Sequence, residues 1–282
     1  MENGILLFNK NVGVTSRSVD NELGKKFHTH RIGHLGTLDP FASGLLVIAV
    51  NKGTKFLPFL MDSPKTYLAT LALGVKTSTG DTEGEVVQKE DVPSLNKEMI
   101  ERVFASFLGD SFQIPPMTSA IKVNGVALYK LAHKGIETER KERPIHIDRL
   151  ELISISKNQI VFLSTVSTGT YIRVLGEDIA KRLGTVGHLE SLKRLSIGNF
   201  SLENAVDKDS VSEKSILDPT PFIISMEHYE IDPTLEKAVK DGKKMTLPKD
   251  YGEKVLLTLH HTAISVYQKE SGVTYASLRG LF

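Results

Sequence analysis

Apolar positions along this chain follow two rhythms. Residues 5–8 (Ile-Leu-Leu-Phe) and 45–50 (Leu-Leu-Val-Ile-Ala-Val) are short unbroken apolar runs, which predict buried strands. Residues 65–73 alternate instead, with Tyr67, Ala69, Leu71 and Leu73 on one face of a strand. Between these, Val19, Leu23 and Phe27 recur every fourth residue behind Thr15 or Ser16 as a cap, which predicts a helix. A second helix is expected over 96–108, with Met99, Ile100, Val103 and Phe107 on one side. A third carries Leu175, Ile179 and Leu183 and stops at Gly184. The spacing of Leu189, Leu192 and Leu195 predicts one more. Strand-like runs lie at 150–155 and 160–166. This mixed order points to an α+β fold rather than strict β-α alternation.

The composition shifts after about residue 200, where 207–218 reads as a polar linker or surface segment. Short apolar runs at 255–259, 263–267 and 272–276, separated by turn residues, predict a small, mostly β, C-terminal domain. A catalytic-sized unit over 1–225 and a small one over 226–282 are the expected domains.

The chain has 282 residues, 40% hydrophobic and 24% charged, within the range of ordinary globular proteins. It contains no cysteine, which excludes disulfides, thiolate nucleophiles and cysteine-ligated zinc. No apolar run approaches the length of a membrane span, and Met1-Glu2-Asn3-Gly4 lacks the charged and apolar regions of a signal peptide. A cytoplasmic protein without membrane attachment is expected. Net charge is only +1, so any nucleic-acid affinity has to come from local clusters. One runs through Lys10, Arg17, Lys25, Lys26, Arg31 and His34, and another through Lys181, Arg182, His188, Lys193 and Arg194. His28, His30 and His34 match metal-ligand spacing poorly, and no metal is expected.

The segment Gly33-His-Leu-Gly36-Thr-Leu-Asp39-Pro40-Phe-Ala-Ser-Gly44-Leu45 places one carboxylate among small residues, ahead of a buried strand. Pro40 biases Asp39 toward an extended or turn conformation. Asp39 is therefore a candidate for chemistry on a loop anchored to the core, although an Asp-Pro flanked by glycines is also an ordinary turn. Asp81 and Glu83, in the polar stretch 73–84, are explained by the turn chemistry of Asp and Gly. The pair Pro115-Pro116 prevents a regular helix there, and the polar, basic stretch onward to Pro144 reads as an arm.

Five segments, in order over about residues 4 to 200, resemble the TruB family of tRNA pseudouridine synthases. They are Asn9-Lys10-Asn-Val-Gly13-Val-Thr15-Ser16; Arg31-Ile-Gly33-His34-Leu-Gly36-Thr37-Leu38-Asp39-Pro40; Lys65-Thr-Tyr67 with Leu73-Gly74, Thr79, Asp81 and Gly84; Gln113-Ile-Pro115-Pro116-Met-Thr-Ser119-Ala120-Ile-Lys122; and Gly169-Thr170-Tyr171-Ile172-Arg173 running on to Leu192-Lys-Arg194. The chain departs from the family at Thr118, where a tyrosine is common, and at Lys193, where an arginine is common. Both differences are expected to bear on RNA contacts and packing more than on the reaction.

The resemblance implies a pseudouridine synthase fold, with a largely antiparallel mixed sheet, flanking helices and a PUA-like C-terminal domain. It implies isomerisation of uridine 55 in the T-arm of tRNA to pseudouridine, without a cofactor. In that reading Asp39 is the essential carboxylate, attacking the nucleotide or taking a ribose proton, and Arg173 partners it. Tyr67 stacks under the everted uracil and assists proton removal, while Tyr171 and Leu192 wall the pocket. His34 fills the gap the base leaves, and Lys10 supports the loop or meets phosphate. Residues 110–146, with Lys122, Lys130, Lys134, Arg140, Lys141 and Arg143, form an RNA-clasping arm. The expected partner is tRNA, bound by a monomer without a guide RNA. A non-catalytic RNA chaperone is the competing reading. A uridine methyltransferase using a cysteine is excluded by composition.

Overall fold

The computed structural model describes residues 3–123, 125–132 and 134–281. In chain order the first half contains β1 (Gly4–Lys10), α1 (Ser16–Lys26), β2 (Ile32–Leu35), β3 (Ser43–Val50), α2 (Leu57–Leu60), β4 (Lys65–Leu73), β5 (Val75–Thr77), β6 (Val86–Lys89), α3 (Lys97–Ala105) and β7 (Gly109–Gln113). The arm contributes β8 (Lys122–Val123), β9 (Val126–Ala127) and α4 (Leu128–Ala132). Then come β10 (Arg143–Ile155), β11 (Gln159–Val166), α5 (Ile172–Arg182), β12 (Gly187–Ile197) and β13 (Phe200–Ser201). The last part holds β14 (Glu227–Glu230), α6 (Glu236–Lys240), β15 (Met245–Thr246), β16 (Lys254–Leu259), β17 (Thr262–Ser271) and β18 (Thr274–Gly280).

The main sheet runs β1-β3-β12-β4-β11-β10-β7, with β2 beside β3 and β13 beside β12. All its pairings are antiparallel except β3 with β12, which meet in parallel at Ser43–Lys193 and Gly44–Arg194. The α+β expectation holds. β1 and β3 read as unbroken apolar runs because both faces are covered. Leu6, Phe8, Leu46 and Ile48 pack with α1 residues Val19 and Leu23, while Ile5, Leu7, Leu45 and Val47 pack on the opposite side. Thr15 caps α1 by accepting from Ser18 N at 3.0 Å, and Phe27 closes it. β4 shows the alternation expected of it, with Tyr67, Ala69, Leu71 and Leu73 all buried.

One expectation fails and two hold in part. The residues of the last predicted helix form β12, a central strand. Its pairing with β4 is irregular between Leu189 and Ser191 and again between Arg194 and Ser196. Each bulge adds a residue, so buried positions fall at 189, 192, 194 and 197 rather than every second one. Steps of three between apolar residues then imitate a helix. In α3 the buried pair is Ile100 and Phe104, and Met99 faces solvent. The stretch 207–218, expected as a linker or a surface segment, is the latter, with most of its residues exposed. Residues at its two ends bond back to β1, with Asn9 N donating to Val206 O at 3.0 Å and Leu217 N to Ile5 O at 2.7 Å. This covers the outer edge of β1, which an exposed strand would leave open to pairing.

The second sheet is ordered β14-β16-β17-β18-β15. Alternate residues of β16 serve two cores. Val255 and Leu257 pack with Tyr267 and Tyr275 inside this unit, and Leu256 joins Ile5, Leu7 and Leu45 of the main sheet. The arm leaves the main sheet from a paired base, where Gln113 is opposite Arg143. It is tied to itself by Leu128 N to Ile121 O at 2.8 Å and by Arg140 Nη1 to Pro115 O at 3.0 Å. Among the described residues no helix is long and apolar enough to cross a membrane.

Candidate active site

Asp39 lies on the loop between β2 and β3, held from below. Leu38 and Phe41 are buried on either side of it, which fixes the direction of the turn. Ser16, at the start of α1, donates through Oγ to Leu38 O at 3.0 Å and accepts from Leu38 N at 2.9 Å. Gly13 N donates to Pro40 O at 2.8 Å. Lys10 is fully buried, and its ammonium donates to Val14 O at 2.7 Å, Asn11 O at 3.0 Å and Pro40 O at 3.4 Å. Of the two roles expected of Lys10, loop support fits this position. A phosphate contact does not, because the ammonium is enclosed by backbone carbonyls. Burial lowers the Lys10 pKa to about 8, although Asp39 opposes the shift.

Arg173 reaches Asp39 from the first turn of α5. Its Nε lies 2.9 Å from Asp39 Oδ2 and 3.5 Å from Asp81 Oδ2. Nη1 donates to Thr79 O at 2.8 Å and Thr118 Oγ1 at 2.5 Å, and Nη2 donates to Thr118 O at 3.0 Å. The planar guanidinium is therefore fixed at all three nitrogens. Asp81 is not mere turn chemistry. It is 2% exposed, and its Oδ1 accepts from Thr79 Oγ1 at 2.5 Å and Glu83 N at 3.0 Å while its other oxygen faces Arg173. Thr118, at the position where the chain departs from the family pattern, touches Arg173 rather than serving packing alone.

Burial pushes the Asp39 carboxyl above the usual aspartate range. Arg173 pulls it back, and the Asp81 charge adds to the rise. Glu83 is raised by burial and by the charges of Asp81 and Asp39. These carboxylates repel one another across a single guanidinium, a charge arrangement typical of functional sites.

An open cavity of about 290 Å³ surrounds this pair, with walls that include Tyr67, Tyr171, Leu192, Lys65 and Arg194. That volume is close to the lower end for small-ligand pockets, about 300 Å³. Tyr67 enters from β4, where it pairs across to Ser164 on β11 and Arg194 on β12. Leu192 enters from β12 and is 7% exposed. Tyr171 precedes α5, and its backbone is clamped by Gln113, which donates Nε2 to Tyr171 O at 3.2 Å and accepts from Tyr171 N at 2.8 Å. Burial raises the Tyr171 phenol pKa. Asp39, Tyr67, Tyr171, Arg173 and Leu192 thus converge on one space. His34 stands outside the cavity on β2, bonded to Asp20 and Thr37.

Two charged residues of the cavity, Lys65 and Arg194, carry no expected role in the site. Lys65 is buried and donates to Ser63 O at 2.8 Å, Thr168 Oγ1 at 2.8 Å and Met61 O at 3.4 Å. Burial and the nearby Arg194 charge lower its pKa to about 8. Its odd-numbered parity with Tyr67 and Ala69 was the available signal. Arg194 is 1% exposed and donates through Nε to Leu45 O and through Nη2 to Gly36 O, both at 2.8 Å. It ties the Asp39 loop to β12. Each basic surface cluster read from the sequence therefore loses a member, Lys10 and Arg194, to the interior.

The chain is similar in sequence and fold to known proteins of one family. Residues 24–172 match the family model described as TruB family pseudouridylate synthase (N terminal domain). The tRNA pseudouridine synthase B of Francisella philomiragia is 43% identical over 242 residues, 86% of this chain and 80% of that protein. The protein of the same name from Hydrogenovibrio crunogenus is 43% identical over 227 residues, 80% of this chain and 75% of its own. The fold matches a chain of a Cbf5-Nop10-Gar1 complex with a TM-score of 0.75 at 21% identity, covering 99% of this chain and 85% of that one. A chain of an H/ACA RNP bound to a substrate RNA matches equally well, at 0.75 and 19% identity, with the same coverage. On the identity shared with its relatives and the match of the family model, this chain belongs to the TruB family of pseudouridylate synthases.

Proposed function

We propose that this chain isomerises uridine 55 in the T-arm of tRNA to pseudouridine, with Asp39 as the essential carboxylate. The observation that carries the reading is the Asp39–Arg173 pair, 2.9 Å apart at the wall of an open cavity. In the reaction the bond from ribose C1′ to uracil N1 breaks, the base turns, and a bond from C1′ to C5 forms. The hydrogen on C5 leaves as a proton, and N1 gains one. Asp39 acts on the ribose, by attack or by proton removal, and either route needs its ionised form. Arg173 favours that form and fixes the carboxylate orientation. Tyr67 stacks on the uracil, and its phenol assists proton transfer. Tyr171 and Leu192 exclude water and confine the base.

A stacked uridine has to be everted to reach such a cavity, at a cost of a few kcal/mol. His34, on the strand leading to the loop, takes the vacated place in the RNA. The arm, with exposed Lys122, Lys130, Lys134 and Lys141, lies along the RNA backbone. Residues 1–225 form the catalytic domain, and 226–282 form a PUA-like RNA-binding domain. The chain acts in the cytoplasm as a monomer without a guide RNA.

The deciding experiment follows tritium release from unmodified tRNA transcript carrying tritium at uracil C5. Asp39→Asn is expected to lose roughly a thousandfold or more of the rate while binding tRNA normally. A fully active Asp39→Asn protein would refute the mechanism. Normal tRNA folding by an inactive Asp39→Asn protein would show that a chaperone role coexists.

A further inference from the structure

His34 is held at both ring nitrogens. Nδ1 is 2.9 Å from Asp20 Oδ2, and Nε2 is 3.1 Å from Thr37 Oγ1. Asp20 belongs to the buried face of α1, in line with Val19 and Leu23, where an apolar side chain would serve stability better. Its side chain is 1% exposed, and its second oxygen, Oδ1, is buried with no protein donor. The other cation near it, Arg17 at 3.5 Å, is 74% exposed and weakly placed to offset burial. A buried carboxylate with one oxygen unanswered destabilises a fold, so its presence asks for a reason.

We infer that Asp20 is a positioning residue, which fixes the tautomer and ring plane of His34 before RNA arrives. An ionised carboxylate only accepts hydrogen bonds, so the proton of the contact sits on His34 Nδ1. That leaves Nε2 to Thr37, whose hydroxyl either donates to it or accepts from it. Rotating the ring about its last bond breaks both contacts together. His34 therefore needs no ordering when it enters the RNA, and the entropy of fixing a ring is not lost at the eversion step. This inference rests on the proposed role of His34 as the residue that replaces the everted uridine.

The test uses the full chain and a T-arm hairpin carrying 2-aminopurine beside the target uridine. Eversion is followed by fluorescence and turnover by tritium release, in wild type, Asp20→Leu, Asp20→Asn, His34→Ala and the His34→Ala/Asp20→Leu double variant. Loss of one charge-assisted hydrogen bond corresponds to about a tenfold slowing of eversion in Asp20→Leu. Asp20→Asn, which keeps an acceptor oxygen, recovers most of the rate. In the His34→Ala background Asp20→Leu has no further effect, because the two residues act as one unit. Nitrogen-15 NMR of the imidazoles shows His34 with a proton on Nδ1 in wild type and loses that signature in Asp20→Leu.

An equal tenfold slowing of the His34→Ala background by Asp20→Leu overturns the inference and leaves the role of His34 intact. A wild-type rate in His34→Ala removes that role and the inference with it. Should Asp20→Leu fail to fold, the wild-type spectrum and Asp20→Asn decide, and a neutral His34 protonated only at Nε2 overturns the inference.

Discussion

Arg173 Nε stands 2.9 Å from Asp39 and 3.5 Å from Asp81, so one guanidinium serves two anions of very different exposure. The Asp81 side chain is 3% exposed and the Asp39 side chain 35%. The enclosed carboxylate fixes the arginine, and the accessible one remains available to a ligand. In this arrangement the accessible carboxylate is held by a cation that is itself restrained at every nitrogen.

The balance at Asp39 has a consequence for stability. Its carboxyl is raised by burial despite Arg173. A carboxyl group with a higher pKa folded than unfolded stabilises the native state below the unfolded value, and that contribution is lost as pH rises through the folded value. Near neutral pH, Asp39→Asn should therefore melt at a higher temperature than the wild type while being inactive. The difference should narrow as pH falls toward the ordinary aspartate value. Calorimetry at several pH values measures this, and a lower melting temperature for Asp39→Asn would show that the Arg173 contact outweighs burial.

Asp81→Asn removes a charge that raises the Asp39 pKa. The acid limb of the pH dependence of kcat/KM should move to lower pH. Activity at the optimum should fall by about tenfold, the worth of one charge-assisted contact to Arg173. A pH profile with an unmoved limb would show that Asp39 ionisation does not control the rate.

Lys10→Met should separate loop support from RNA binding. Three backbone carbonyls lose the lysine's donation, and Pro40 O in the Asp39 loop keeps only Gly13 N. The expected result is a kcat lowered by about 10- to 100-fold, with KM for tRNA little changed. The lysine pKa, lowered from 10.5 to about 8, also makes a titration prediction. A base with a depressed folded pKa destabilises the native state at low pH and ceases to do so as pH rises from the folded to the unfolded value. Wild-type stability relative to Lys10→Met should therefore increase between about pH 8 and 10.5.

Gly44 has φ +100°, and a Cβ there would lie 2.3 Å from Arg194 O. Relaxation of a rigid backbone contact and a strained φ each cost about 1–3 kcal/mol. Gly44→Ala should destabilise the chain by roughly 3 kcal/mol or more by denaturant unfolding, and should loosen the junction of β3 with β12.

The arm gives an electrostatic test. Replacing Lys122, Lys130 and Lys141 by Gln, one at a time, should reduce the salt dependence of tRNA binding by about one unit of slope each. The rate at saturating tRNA should stay near wild type, since none of the three lines the cavity. Unchanged salt dependence in all three would remove the arm from the RNA contact surface.

Much of this fold was legible because burial leaves a simple imprint on a regular element. β4 keeps strict alternation over nine residues, and its bounds and inward face follow from the sequence. α1 keeps its four-residue step because one side packs on a sheet. β12 was misread because two bulges break its period, and a bulge has no compositional signature of its own. At the site, Asp39 was visible from its neighbours, whereas its pairing with Arg173 came from the family resemblance. Asp81 was misjudged because an aspartate in a glycine-rich turn looks the same whether it faces water or a guanidinium. Lys10 and Arg194 fall in clusters that charge reads as basic surface, and Pro40 O, Leu45 O and Gly36 O, which help to enclose them, come from distant parts of the chain.

The main sheet is stitched across its middle by only two parallel residue pairs, Ser43 with Lys193 and Gly44 with Arg194. The Asp39 loop feeds the strand on one side of that seam, and Tyr67 is carried on the other side by β4. Arg194, bonded to Leu45 O and Gly36 O, is the rivet of that joint and ties the acid's loop to the strand beside the aromatic ring.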